Sequence, residues 1–352
     1  MQSSRRSFVT AAGGVALSGL LSFPQRSLAQ RGADDTERQA AELMSPQTQA
    51  AIDRGLTWLA ERQVEDGSFK STGAGRNVAV ASLAGLAFLA SGSTPGRGEF
   101  GGQLNRCVSY TLRAADDSGF ISVREAATHG PMYEHGFATL FLAEVYGMSA
   151  ESAVRLKLEA AVKLICSTQN HEGGWRYQPK PSEADISVTI CQVMALRAAR
   201  NAGIYVPNET IDRCLDFVKQ CQNADGGFMY LLQGGESQFP RSAAGVVALY
   251  SAGVYEGNEI KKGLAYLEKH PPKLDDFQRG NHVMYGHYYA VQAMWQAGGE
   301  HWRKWYPAIQ EALLRVQQAE GFWADFICPE YGTAMACLIL QMPNNYLPIF
   351  QR

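Results

Sequence analysis

No Cys-x-x-Cys pair, no block of like charges and, past the first thirty residues, no apolar stretch of a length that would span a bilayer occurs in this 352-residue sequence. The seven cysteines are an odd number, and most lie in apolar helical stretches. They read as small buried thiols, and no disulfide framework is expected. Charged residues are only 19% of the chain and nearly balance, at a formal net charge of -2, with no Lys/Arg stripe; nucleic acid is therefore not an expected partner. What is abundant is apolar surface. A hydrophobic content of 46% is ample for a large buried core.

The N-terminus carries an address. Ser4-Arg5-Arg6-Ser7-Phe8-Val9 is a twin-arginine pattern, an uncharged stretch follows to Phe23, and Ser27-Leu28-Ala29 is a small-x-small cleavage signal. Residues 1–29 resemble a bacterial Tat signal peptide, which implies export of a folded chain and a soluble, extracytoplasmic mature protein without a membrane span. Residues 30–45 read as a flexible leader and 46–352 as one domain.

That domain is internally repetitive. Gln63-x-x-x-Gly67-x-Phe69 recurs as Gln169-x-x-x-Gly173-Gly174-Trp175, as Gln222-x-x-x-Gly226-Gly227-Phe228 and as Gln317-x-x-x-Gly321-Phe322-Trp323, with a weaker copy ending at Gly119-Phe120. The glycines at 67, 119, 173 and 226 are 52, 54 and 53 residues apart. The next, at 321, is 95 further on, which leaves room for two units; the stretch Glu268 to Phe277, with His270-Pro271-Pro272, stands where the missing turn belongs. Six units result.

In each unit an amphipathic helix runs into the glycine turn and a second helix follows, apolar nearly all round and rich in small residues. The second helices are expected over 78–91, 133–146, 185–201, 241–251, 285–296 and 331–341. A helix without a polar face must be buried, so the second helices form an inner ring and the first an outer one. The fold expected is all-α, a closed (α/α)6 toroid of six helix pairs; an open superhelix of the same pairs is the competing arrangement.

These Gln-x-x-x-Gly-x-aromatic repeats resemble the QW motifs of squalene-hopene and oxidosqualene cyclases and the related repeats of protein prenyltransferase beta subunits. The resemblance spans most of residues 47–342 and implies the prenyltransferase/squalene-cyclase toroid, with an apolar central cavity and an isoprenoid or other apolar small molecule as ligand. It is specific for the scaffold, whereas chemistry resides in the site.

In such a ring the cavity opens at the ends of the inner helices, so candidate residues are those that start them. Glu183-Ala184-Asp185-Ile186-Ser187 falls where the cyclases carry Asp-x-Asp-Asp-Thr. Asp185 matches the middle acid, which in that family protonates an alkene or epoxide, while Glu183 and Ile186 depart from the flanking acids. A cap for its own helix is the plainer role of Asp185. Glu134, His135, His287 and Arg241 complete the candidate catalytic set; Arg241 either pairs with Asp185 or Glu134 or holds an anion such as a diphosphate. Tyr133, Tyr285, Tyr288 and Tyr331 are candidate substrate-contacting faces for a carbocation or a sugar ring, and packing is the alternative for each. His135, Asp185 and His287, with His282 in reserve, form the one set of ligands that suits a metal, with zinc favoured by imidazole plus carboxylate. The prenyltransferases' Asp-x-Cys zinc pair is absent from the inner-helix starts. Three functions compete: an isoprenoid-handling enzyme, a non-catalytic lipid- or protein-binding ring, and a carbohydrate-active lyase or hydrolase using Glu134, Asp185 or Glu330.

Overall fold

The computed structural model describes residues 42–71, 73–126, 130–149, 151–280 and 282–351. The twin-arginine segment and most of the expected leader lie outside the described residues. Leu43 and Met44 are already docked on the domain, where the Leu43 carbonyl accepts from Gln310 Nε2 at 3.0 Å and the Met44 sulfur lies 3.6 Å from the Tyr306 hydroxyl.

Thirteen α-helices are present among the described residues and twelve of them form six pairs. The outer helices are α1 (Pro46–Arg62), α3 (Gly101–Arg113), α5 (Ala153–Thr168), α7 (Asn208–Gln220), α9 (Asn258–Glu268) and α12 (Gly299–Val316). The inner helices are α2 (Val78–Ala90), α4 (Pro131–Val145), α6 (Ile186–Asn201), α8 (Phe239–Ser251), α11 (Val283–Ala297) and α13 (Pro329–Leu340). Burial separates the rings as the patterning requires. On α1 the buried residues are Thr48, Ala51, Ile52, Gly55, Leu56 and Leu59, a single stripe, whereas on α2 only Ala79 escapes burial. Each inner helix packs on the next, and α13 returns to α2 and α1, so the ring is closed and the superhelix is excluded.

Four helix starts and one connection differ from expectation. Inner helices α4, α8, α11 and α13 begin two residues early, and in three of them proline occupies the first turn (Pro131, Pro240, Pro329). Proline fixes φ near the helical value and gives up an N–H that the first turn leaves unpaired anyway, so it can occupy the first turn and move the helix start ahead of it. The fifth connection is not a mere eroded turn either, since it contains the extra helix α10 (Leu274–Arg279).

The repeated glutamines join the pairs. Gln63, Gln169, Gln222 and Gln317 each donate from Nε2 to the carbonyl of their own turn glycine and to a carbonyl at the start of the following outer helix, namely Gln103, Thr210, Glu259 and, for the last, Ala51 of α1. One side-chain amide thereby satisfies two carbonyls and fixes the step from unit to unit. Glycine is required at these turns: Gly173 has φ +99° and a Cβ there would sit 2.1 Å from the Arg213 carbonyl oxygen of the next unit.

At one end the ring is capped by the chain's own tail. Leu347, Ile349 and Phe350 are buried, and the Phe350 carbonyl accepts from Trp295 Nε1 (3.0 Å) and Gln296 Nε2 (3.1 Å) at the end of α11. The polar candidates gather at the other end, where the inner helices start. No helix among the described residues is long and apolar enough to cross a membrane.

Candidate functional site

Asp185 caps α6: its backbone is extended and its Oδ1 accepts from the Val188 N–H at 2.9 Å. The residue is fully buried, and its other oxygen, Oδ2, has no hydrogen bond among the described residues. What it faces is Arg176, whose Nη1 stands 3.7 Å away and is likewise buried without a hydrogen-bond partner. Arg176 is anchored from its other side, with Nε 3.0 Å from the exposed carboxylate of Glu183, and its guanidinium lies over the rings of Tyr177 (4.8 Å) and Tyr230 (5.5 Å). The hydroxyls of Tyr177 and Tyr230 bond each other.

Burial dominates the electrostatics of Asp185 and pushes its pKa up to about 6, against the opposing pull of the Val188 N–H and Arg176. The Tyr230 hydroxyl also lowers it, without meeting hydrogen-bond geometry at Oδ2. A carboxyl with one oxygen fixed by the backbone and the other buried beside a cation can hold a proton, and can deliver it in a defined direction.

Around this pair stand two of the expected tyrosines. Tyr133 lies 6.2 Å from Tyr177, and Tyr285 donates its hydroxyl to the Ser187 carbonyl at 2.9 Å. Burial raises both phenols well above their ordinary range, and the Asp185 and Cys191 charges raise them further. Tyr288 and Tyr331 are buried deeper. Tyr288 packs on Tyr289 at 4.9 Å and on Phe137 at 6.2 Å, while burial and then Asp325 raise Tyr331.

The remaining candidates are placed elsewhere. His135 Nδ1 accepts the Ile121 N–H (3.1 Å), which leaves Nε2 to donate to the Ala161 carbonyl (3.3 Å). In three other units a hydroxyl does the first of these jobs: Thr189, Ser242 and Thr333 accept from the N–H of Trp175, Phe228 and Trp323. His135 is thus the second unit's version of a repeated backbone clip, held neutral with a pKa lowered by burial to about 4. His287 is enclosed by Phe239 (4.9 Å), Phe277 (5.0 Å) and Trp305 (6.0 Å), and burial lowers its pKa to about 3.

Among the described residues no three His, Cys, Asp or Glu side chains converge as a metal would require. His135, Asp185 and His287 therefore do not make the zinc set that their sequence positions allowed, because two of the three face the protein interior between neighbouring helices. Arg241 also departs from expectation: it binds the carbonyls of Phe228 (3.0 Å from Nε) and Glu236, and forms no ion pair with Asp185 or Glu134 among the described residues. Glu134 accepts from the Ser122 hydroxyl at 2.7 Å. Glu330, fully buried, is held by Arg62 and by the Ser71 hydroxyl. The three carboxylates proposed for sugar chemistry thus sit in three separate bonding arrangements.

Arg176, Tyr177 and Tyr230 were not picked out by sequence. The signal for the two tyrosines lay in the repeat, where the residue two places after the turn aromatic is Ser71, Tyr177, Tyr230 and Asp325 in the four clearest copies, polar each time; Arg176, one place after, has a basic counterpart only in Lys70.

The family model described as the prenyltransferase alpha-alpha toroid domain matches residues 40–278. No curated protein matches the chain. Among solved structures, a variant of the type II terpene cyclase MstE from Scytonema in complex with its product merosterolic acid A is similar at 14% identity and a TM-score of 0.62, over 86% of this chain and 98% of that one. A structure described as a glycosidase is similar at 12% identity and a TM-score of 0.57, over 88% and 99%. At such identities the likeness speaks to the fold, which chemistries of different classes share. With the closed ring of six pairs and the family match over more than half its length, this chain belongs to the prenyltransferase alpha-alpha toroid domain family.

Proposed function

We propose that this protein is an exported enzyme that starts a reaction on an isoprenoid, or a similarly apolar chain, by protonating it from Asp185. The observation that carries this reading is the asymmetry of the buried Asp185 carboxyl: Oδ1 is committed to the helix cap while Oδ2 makes no hydrogen bond among the described residues. A carboxyl present only as a cap has no need of full burial beside a second unpaired group. The tyrosine faces at the mouth suit an apolar substrate and stabilise positive charge developing on it. One structure of the type II terpene cyclase MstE holds geranylgeranyl dihydroxybenzoate as substrate, which supports the substrate class by analogy of fold alone. Export rests on the Arg5-Arg6 pattern and the Ser27-Leu28-Ala29 site.

The test is lipid analysis of the full chain and its Asp185→Asn variant after expression in a bacterial host. Asn keeps the cap, and the variant is expected to retain an unconverted apolar ligand that the parent converts. Identical extracts from both, with no apolar ligand retained by either, would sink the proposal. Cell fractionation of an Arg5→Lys, Arg6→Lys double variant tests export, with retention in the cytoplasm expected.

A further inference from the structure

At the end of the ring away from Asp185, the tail is held by side chains that recognise an oxygen. The Phe350 carbonyl accepts from two donors in the last turn of α11, Trp295 Nε1 at 3.0 Å and Gln296 Nε2 at 3.1 Å. Arg197, on α6, lines the same small cavity as these two residues, Ile349 and Phe350. Its Nη1 is fixed by the Tyr250 carbonyl (2.7 Å) and the Tyr255 hydroxyl (2.5 Å), yet its Nε is buried and makes no hydrogen bond among the described residues. No carboxylate of the described residues pairs with this guanidinium. Three N–H donors therefore border one space, and one of them is a cation without an acid. A carboxylate, with two oxygens and a negative charge, satisfies all three, which the single neutral oxygen of the tail does not.

The wall beside the donors is apolar, with Met194 and Val247 facing Ile349 and Phe350. The free space measures about 10 Å³, enough for one water at most, so a larger ligand enters only as the tail leaves. There is room for the tail to move. Leu347 and Pro348 border a second cavity of about 360 Å³, whose rim residues Met148 and Tyr346 are exposed, so the segment can swing aside without parting the inner helices. Ile349 adds only a long bond from its N–H to Glu144, at 3.5 Å. Glu144 is itself buried, and burial raises its pKa to about 8, so near neutral pH it carries a proton and no charge that would repel an anion.

We propose that this end of the ring is a second binding site, for an apolar chain ending in a carboxylate, such as a fatty acid, whose place Ile349 and Phe350 take in the closed ring. The carboxylate accepts from Trp295 Nε1, Gln296 Nε2 and Arg197 Nε, and the alkyl chain lies against Met194 and Val247 where the two tail side chains were. The charge of Arg197 selects the acid over an alcohol of the same length. The site lies at the opposite end from Asp185 and does not depend on its chemistry.

The experiment titrates decanoate and decan-1-ol into the purified full chain at pH 7, where the acid is ionised. Binding is read by calorimetry, and the tail by hydrogen exchange at the amides of Ile349, Phe350 and Gln351, which are bonded to Glu144, Leu347 and Pro348. Decanoate is expected to bind at least about tenfold more tightly than decanol and to speed exchange at those amides. Arg197→Met should bring the two affinities together, and Arg197→Lys should keep part of the preference. Phe350→Ala, which weakens the plug, should tighten decanoate binding by roughly threefold or more.

Equal affinity of the parent protein for acid and alcohol would overturn the carboxylate site, and this ratio needs no variant to fold. Decanoate binding that leaves exchange in the tail unchanged would overturn the displacement of Ile349 and Phe350. Absence of decanoate binding by both the parent and Phe350→Ala would overturn the inference as a whole, and each of these outcomes leaves the role of Asp185 standing.

Discussion

Glu330, at the start of the last inner helix, is fully buried and receives both Nε (3.0 Å) and Nη2 (2.9 Å) of Arg62, the last residue of the first outer helix. These residues are 268 positions apart, and the Ser71 hydroxyl adds a third bond, at 2.5 Å, to the other carboxylate oxygen. The pair fastens the end of the chain to its beginning, at the mouth where the candidate site lies.

Breaking this pair from the arginine side is expected to cost more than neutralising the acid. Arg62→Ala strands a buried carboxylate and should destabilise by about 2–3 kcal/mol, less than a wholly buried pair would lose because Arg62 is 32% exposed. Glu330→Gln keeps an acceptor and should cost under about 1 kcal/mol. Urea denaturation of both variants checks the order; equal losses would show that Ser71 and water hold Glu330 adequately without Arg62.

The turn glycines carry a steric prediction. Gly173→Ala imposes φ +99° on a residue with a Cβ and drives that Cβ against the Arg213 carbonyl, so a loss of about 3 kcal/mol is expected. Gly203→Ala, also at positive φ but with no atom within 4 Å of the added Cβ, should lose only about 1 kcal/mol. Thermal melts of the two variants measure the difference, which isolates the close approach between units from backbone strain.

His135 is predicted to matter for stability and not for chemistry. His135→Ala leaves the Ile121 N–H and the Ala161 carbonyl unpaired and should cost about 2–3 kcal/mol or more, including the cavity left behind. Turnover of any accepted substrate, measured well below the melting temperature, should change less than about twofold. A loss near that of Asp185→Asn would restore His135 to the reaction.

The pKa of Asp185 sets two pH dependences of known sign. The carboxyl's pKa is raised on folding, from 3.8 to about 6, so the native state binds the extra proton. Stability therefore falls as pH rises from about 4 to about 6 and stays lower above it, by an amount on the order of 2–3 kcal/mol. Asp185→Asn, which still caps the helix, should remove this loss and melt higher than the parent at pH 7.5 yet not at pH 3.5. If Asp185 is the acid, turnover should fall about tenfold per pH unit above its pKa, because only the protonated form donates. A flat profile from pH 6 to 8 would argue against the proton transfer, and unchanged melting at pH 7.5 against the raised pKa.

The ring and its count of six were legible because they rest on local chemistry. A Gln, a positive-φ glycine and an aromatic at fixed spacing build the same turn wherever they occur, and apolar periodicity separates buried inner helices from half-exposed outer ones. Asp185 was legible for the same reason, as the cap of its own helix. The fifth connection was not, because its extra helix follows no repeat, and proline before Tyr133, Arg241 and Tyr331 hid the true helix starts.

What the tertiary structure alone decided is which polar groups meet. His135 and Asp185 look alike in sequence, each a polar residue near the start of an inner helix. Packing gives one of them two backbone partners, from the preceding turn and the neighbouring outer helix, and leaves the other with a buried oxygen facing Arg176. That distinction depends on the distances between separate segments. Sequence periodicity sets the direction of a side chain from its own helix but not what stands opposite it.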